Sequence, residues 1–191
     1  MKQVTKILFL AILFMGTAQV WAQDEITPER KEAIDSLAME KVKDLSKYIS
    51  IIGSKETSFS EANRVIDRTL ELFAPNSQIG VSSLYRKDIK YYTVRKYLNR
   101  LMALNYDQVS ISWYNIQYIS DLEPQPDGTY VGVITIYQRF EGKKGDDLTY
   151  VDTTKKDITI YVKHKETQIG GRTIGFWDVL LGDIRVAETS K

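Results

Sequence analysis

The 191-residue chain has no cysteine, one histidine, four prolines, and no apolar run long enough to cross a bilayer. Without cysteine there is no disulfide framework, no thiolate zinc site and no thiol nucleophile. His164 alone cannot supply the usual zinc set or anchor a supported serine triad. An excess of one charge sign is also missing, with 26 Lys plus Arg against 25 Asp plus Glu. Binding to nucleic acid or to an anionic membrane surface would need a concentrated basic excess, so neither is expected. There is no Walker loop or dinucleotide fingerprint, and Gly170-Gly171 reads as a turn rather than a phosphate cradle. No cofactor is therefore expected. Repeats, low-complexity tracts and interdomain linkers are absent too. What remains, 43% hydrophobic and 11% aromatic residues, is the composition of one ordinary globular domain.

The first 22 residues read as an address. Lys2 and Lys6 precede the apolar run Ile7 to Met15, then Gly16, Thr17 and Ala18. Val20 and Ala22 occupy the small positions that signal peptidase reads, which predicts cleavage before Gln23. The apolar run is about half of the roughly 20 residues that a membrane-spanning helix needs. The expected product is a periplasmic or extracellular protein, residues 23–191, forming a single domain.

From there the pattern is helical. Thr27-Pro28-Glu29 reads as a helix start, with Thr as cap and Pro in the first turn. Ile34, Leu37, Ala38, Val42, Leu45, Ile49 and Ile52 recur at helical spacing, predicting a helix at about 28–52. Ser58 and Glu61 have capping-box spacing and open a second helix over 58–74. A brief strand is expected at 77–83 and a third helix at 93–104. Beyond Tyr106 the period becomes two, and four long strands are expected, the last three over about 129–140, 148–163 and 172–187. In the first of them the apolar parity switches after Trp113, which predicts a β-bulge near Trp113 to Asn115.

This order resembles the nuclear transport factor 2-like (cystatin-like α+β) superfamily, over roughly residues 36–189. Local segments that carry the resemblance include Tyr48-Ile-Ser-Ile-Ile-Gly, Ser112-Trp-Tyr-Asn-Ile-Gln-Tyr and Tyr130-Val-Gly-Val-Ile-Thr-Ile-Tyr-Gln. They are also similar to uncharacterised exported proteins of Bacteroidota. The resemblance implies an α+β fold, a cone of curved antiparallel sheet with four long strands and one short strand wrapped around helices. The superfamily includes isomerases, dehydratases and cyclases beside non-catalytic binding and dimerisation domains, so the fold alone does not choose a function.

Three groups of residues are candidates for function. Asp178 sits in the alternation Ile174, Phe176, Asp178, Leu180, Ile184, Val186, and so is expected on the concave face. A desolvated carboxylate there would be a general base or acid; the other reading is a structural hydrogen bond, or a bulge that turns it outward. Tyr92, Arg95 and Arg100 belong to the one basic cluster, interleaved with tyrosines, and are the candidate ligand-binding residues for an anion; the other reading is a solvated helix face. Trp177, Val179 and Leu181 alternate against Asp178 and are expected on the open sheet face, as a contact surface for a second copy or a protein partner. Phe73, Leu98, Leu101, Ile134 and Phe176 are the expected core. No metal site is expected.

Two functions follow. The first is an exported, non-catalytic protein-interaction or ligand-binding module. The alternative is a small-molecule isomerase, dehydratase or cyclase using Asp178 in the cone. The cone separates them, because an enzyme needs a pocket with convergent polar groups, whereas a binding module can fill its cone with side chains. The address reading makes its own prediction: the intact mass of the exported chain corresponds to a start at Gln23, and recovery of the full chain from Met1 would overturn it.

Overall fold

The computed structural model describes residues 26–118 and 120–191; the predicted leader lies outside them. The chain opens with α1 (Pro28–Gly53), whose cap Thr27 accepts a hydrogen bond from the Arg30 amide, and α2 (Phe59–Leu70), capped by Ser58 on the Glu61 amide. A hairpin of β1 (Gln78–Ser83) and β2 (Arg86–Thr93) follows, then α3 (Val94–Met102). The remainder is β3 (Gln108–Tyr118), the two-residue β4 (Glu123–Pro124), β5 (Thr129–Lys144), β6 (Asp147–Ile169) and β7 (Arg172–Ser190).

These elements form the α+β architecture expected, one large curved sheet with helices on its inner face. Strand order is β2-β1-β7-β6-β5-β3, with β4 beside β5. The sheet is mixed rather than wholly antiparallel, because β1 meets β7 in parallel at Ile79 and Ile184. The sequence reading also misses β2, whose run of lysines, arginines and tyrosines lacks an alternating apolar face, and the brief β4.

α1 is the central helix. Ile34, Ala38, Val42, Leu45, Ile49 and Ile52 are all buried, and the helix packs on β3, β7, α2 and α3. Opposite it, Ile134 and Ile136 of β5, Ile158, Ile160 and Val162 of β6, and Val179, Leu181 and Ile184 of β7 complete the core. Phe73, Leu98, Leu101 and Ile134 are buried as expected.

Phe176 is not. It is 43% exposed, because the faces of β7 are inverted relative to expectation. Ile158 pairs with Ile184 but Ile160 pairs with Leu181, so β7 spends three steps where β6 spends two. This bulge at Gly182-Asp183 reverses the parity of the strand. Before it the inward residues are Val179 and Leu181; after it Ile184 takes over. A continuous even alternation from Ile174 to Val186, read as one face, is therefore two half-faces. The bulge is held from both sides. Asp183 accepts from the Gln78 amide at 2.9 Å, and Leu181 exchanges backbone bonds with Leu72 and Ala74 at 2.8 and 2.7 Å. Gly182 has to lack a side chain, since a Cβ there would meet the Tyr161 ring. The predicted bulge in β3 is present as well: Tyr114 pairs with Tyr137 and Gln117 with Thr135, with Asn115 at φ 49° in the left-handed region that Asn tolerates.

Trp177, Val179 and Leu181 are thus corrected from an outer contact surface to core and near-core residues: Val179 and Leu181 are buried, and Trp177 packs edge-on against Tyr130. The pair Leu98→Ala and Phe176→Ala tests the assignment by urea unfolding. The first should cost about 2 to 5 kcal/mol through lost burial and a cavity. The second should cost less than about 1 kcal/mol, as expected of a surface site. Equal losses would overturn the inverted parity of β7.

Candidate active site in the cone

The inner face of β6 changes character along its length. Ile158, Ile160 and Val162 lie under α1, and the same alternation continues back through Lys156, Thr154 and Asp152. Side chains two apart share one face of a strand, so burying the isoleucines places these polar groups inside the cone as well. Lys156 is 4% and Asp152 5% exposed. They line a cavity of about 350 Å³, open at one end, together with Tyr97 and Arg100 of α3, Gln138 of β5 and Tyr150 of β6.

Within it the polar groups are connected. The Tyr150 hydroxyl donates to Asp152 Oδ2. The hydroxyl oxygen accepts from the Leu84 amide at 3.1 Å, which ties the β1–β2 turn to the site. Lys156 Nζ donates to Gln138 Oε1 at 3.3 Å. Trp113 Nε1 donates to the same oxygen at 3.2 Å, fixing the amide. Lys156 Nζ also stands 5.9 Å from the centre of the Tyr97 ring.

Burial dominates the electrostatics. Desolvation raises the Asp152 carboxyl above its ordinary value, although the Tyr150 bond and the Lys156 charge both pull it down. Desolvation likewise lowers Lys156 to about 8, against the opposing pull of Asp152. It also pushes Tyr97 up to about 12, with the Asp152 charge adding to the effect. Tyr150 is raised, first by burial and then by its bond to Asp152. A carboxyl group of raised proton affinity therefore shares the cavity with two phenols that hold their protons and a lysine of lowered proton affinity, shifts of the kind that mark candidate functional sites.

The residues singled out from the sequence fare differently. Asp178 points to the outer face, where it pairs with Lys165 at 2.6 Å; the β7 bulge is the reason, and it holds no place in the cone. Arg95 is drawn outward to Asp67 at 2.8 Å. Tyr92 and Arg100 do come together, with the guanidinium 4.8 Å from the ring centre, and Arg100 reaches the pocket. Asp152, Tyr150 and Lys156 were missed. The signal for them was present: Asp152, Thr154 and Lys156 share the parity of Ile158, Ile160 and Val162, a polar run on a face that must be buried.

No family model and no curated protein matches the chain. Two of the solved structures that match cover most of its length. One is a protein from Novosphingobium aromaticivorans assigned as a scytalone dehydratase, at 12% identity and a TM-score of 0.43, covering 84% of this chain and 89% of its own. The other is a type 2 hexachlorocyclohexane dehydrochlorinase, at 9% identity and 0.40, covering 83% and 91%.

The expectation of a non-catalytic module whose cone is filled by side chains is corrected by the cavity itself. The cone is not filled by side chains; it holds an open cavity with a carboxylate, a phenol and a lysine converging on it.

Lys156 supplies a measurable consequence. Its folded-state value of about 8 lies below its ordinary 10.5, so the charged form is penalised in the fold. The penalty is full below pH 8 and disappears as pH rises from 8 to 10.5, where only the unfolded chain still holds the extra proton. Lys156→Met should therefore stabilise the protein at neutral pH by on the order of 1 to 3 kcal/mol, reduced by the loss of a counter-charge for Asp152. Urea unfolding of both proteins across this pH range should show the advantage closing. A destabilised Met variant at neutral pH would mean that Lys156 is a structural anchor.

Proposed function

We propose that the protein is a small-molecule dehydratase or isomerase that moves a proton on carbon next to a carbonyl. The observation that carries this reading is the meeting of Asp152, Tyr150 and Lys156 in one cavity of the cone. In the forward step the Asp152 carboxylate takes the proton, and the electron pair moves onto the carbonyl oxygen. The Lys156 ammonium, predominantly charged at neutral pH, faces that developing negative charge in surroundings poor in water, where such an interaction is strongest. Tyr97 and Tyr150 keep their protons at neutral pH and are the donors available for the departing hydroxide of a dehydration. Returning the Asp152 proton to another carbon completes an isomerisation. The leader-like first 22 residues, with the resemblance to exported Bacteroidota proteins, support placing this chemistry outside the cytoplasm.

The proton-abstraction step can be tested without knowing the substrate. 5-Nitrobenzisoxazole is neutral and ring-opens to a coloured phenolate when a single base removes one proton, a reaction that a desolvated carboxylate accelerates. The wild-type protein should open it faster than buffer alone, with a rate that rises with pH through the elevated Asp152 titration. Asp152→Asn should lower that rate by about tenfold or more, the minimum expected for loss of a positioned base. Equal rates for wild type and Asp152→Asn would remove Asp152 as the base and the proposed reaction with it.

A further inference from the structure

The charge inside the pocket does not balance. Its lining carries three cations, Arg86, Arg100 and Lys156, and one carboxylate, Asp152. Among the described residues neither arginine has a carboxylate partner: the arginine ion pairs are those of Arg64, Arg95, Arg139 and Arg185. Arg100 is held instead by its cation–π contact with Tyr92.

The cations are also sorted by depth. Arg86 and Arg100 are exposed and stand at the rim, beside Tyr85, which is 80% exposed. Lys156 and Asp152 are buried and form the floor. Between rim and floor the walls are largely aromatic. Tyr106 packs edge-on against Phe140, Phe140 against Tyr150, and Tyr150 lies 5.7 Å from Tyr85. The volume, about 350 Å³, is near the lower end of small-ligand pockets, which run from roughly 300 to 1,000 Å³.

We propose that the pocket takes a planar organic anion of one or two rings, its acidic group held at the rim by Arg86 and Arg100 and its reacting end facing Asp152 and Lys156. The aromatic walls select a flat, apolar body, since rings pack favourably edge-on and offset. Unpaired guanidinium groups select a carboxylate or a similar planar acid, which they can bind in a fork. An anion seated at the rim also leaves the buried Lys156 charge free for the reacting oxygen. This substrate class rests on the proposed function in the sense that it gives the floor a reacting end; the binding itself does not depend on catalysis.

Titration calorimetry with 2-naphthoate and its neutral isostere 2-naphthamide tests it. The wild-type protein should bind the carboxylate at least about tenfold more tightly than the amide, a difference of about 1.4 kcal/mol. Arg86→Met and Arg100→Met should each weaken naphthoate binding several-fold. The double variant should bind both probes alike, with amide affinity unchanged, which also certifies that the pocket is still folded. Equal affinity of the wild type for the two probes, or no binding of naphthoate, overturns the proposal. So does a preference that disappears in Lys156→Met but persists in the double arginine variant, because the anion would then sit on the floor. Asp152→Asn should still bind naphthoate, so the two readings fail separately. Naphthoate binding without benzisoxazole opening defeats the enzyme and leaves the site; opening without anion preference does the reverse.

Discussion

The two-residue period of one strand ties the core of this protein to its pocket. β6 places Ile158, Ile160 and Val162 under α1 with essentially no exposure, and a strand cannot bury these without sending Lys156, Thr154 and Asp152 to the same side. A slip of one residue would release the polar groups to solvent, but would expose the isoleucines as well. The burial that stabilises the fold is thus what holds a carboxylate and an ammonium out of water, where their proton affinities shift toward each other.

That arrangement opposes stability. Burying charge is unfavourable unless it is closely paired and fully hydrogen-bonded. Here Lys156 has one hydrogen bond, at 3.3 Å, and Asp152 acts on it only through space. A purely structural core would be served better by apolar residues on this part of β6. Natural sequences depart from local consistency chiefly at functional sites, and the polar run on β6 is such a departure, set between two otherwise consistent layers of packing.

Element order and the helical faces were legible in the sequence. Caps at Thr27 and Ser58 and the helical spacing from Ile34 to Ile52 sufficed for α1 and α2, because these signals are local. What depended on register was not legible. Asp178, Trp177, Val179 and Leu181 were all assigned to the wrong side by one bulge, at Gly182-Asp183, whose position is set by contacts with Thr159, Tyr161, Gln78 and Leu72, far away in sequence. The bulge in β3 was visible because apolar parity changes there, whereas on β7 apolar residues occupy both parities and conceal the switch. The site was half-legible. Arg100 and Tyr92 stand in an obvious basic and aromatic cluster, but Asp152 and Lys156 look like any solvated strand charges until the burial of their neighbours on the same face is known.

The remaining link is the Tyr150 hydroxyl, which joins rim to floor. A phenol carries one hydrogen, which Tyr150 gives to Asp152 while its oxygen receives the Leu84 amide. The β1–β2 turn, which carries Tyr85 and leads into Arg86, is therefore tied through Tyr150 to Asp152. A second tie, between the hydroxyls of Ser82 and Thr189 at 2.6 Å, fixes the other side of the turn to β7. When Asp152 takes a proton it stops being a charged acceptor, and the Tyr150 bond weakens to that between two neutral groups. The hydrogen of Tyr150 is then free to turn toward whatever occupies the cavity. In the proposed reaction, proton uptake at the floor and proton donation from the wall would in this way be two halves of one exchange.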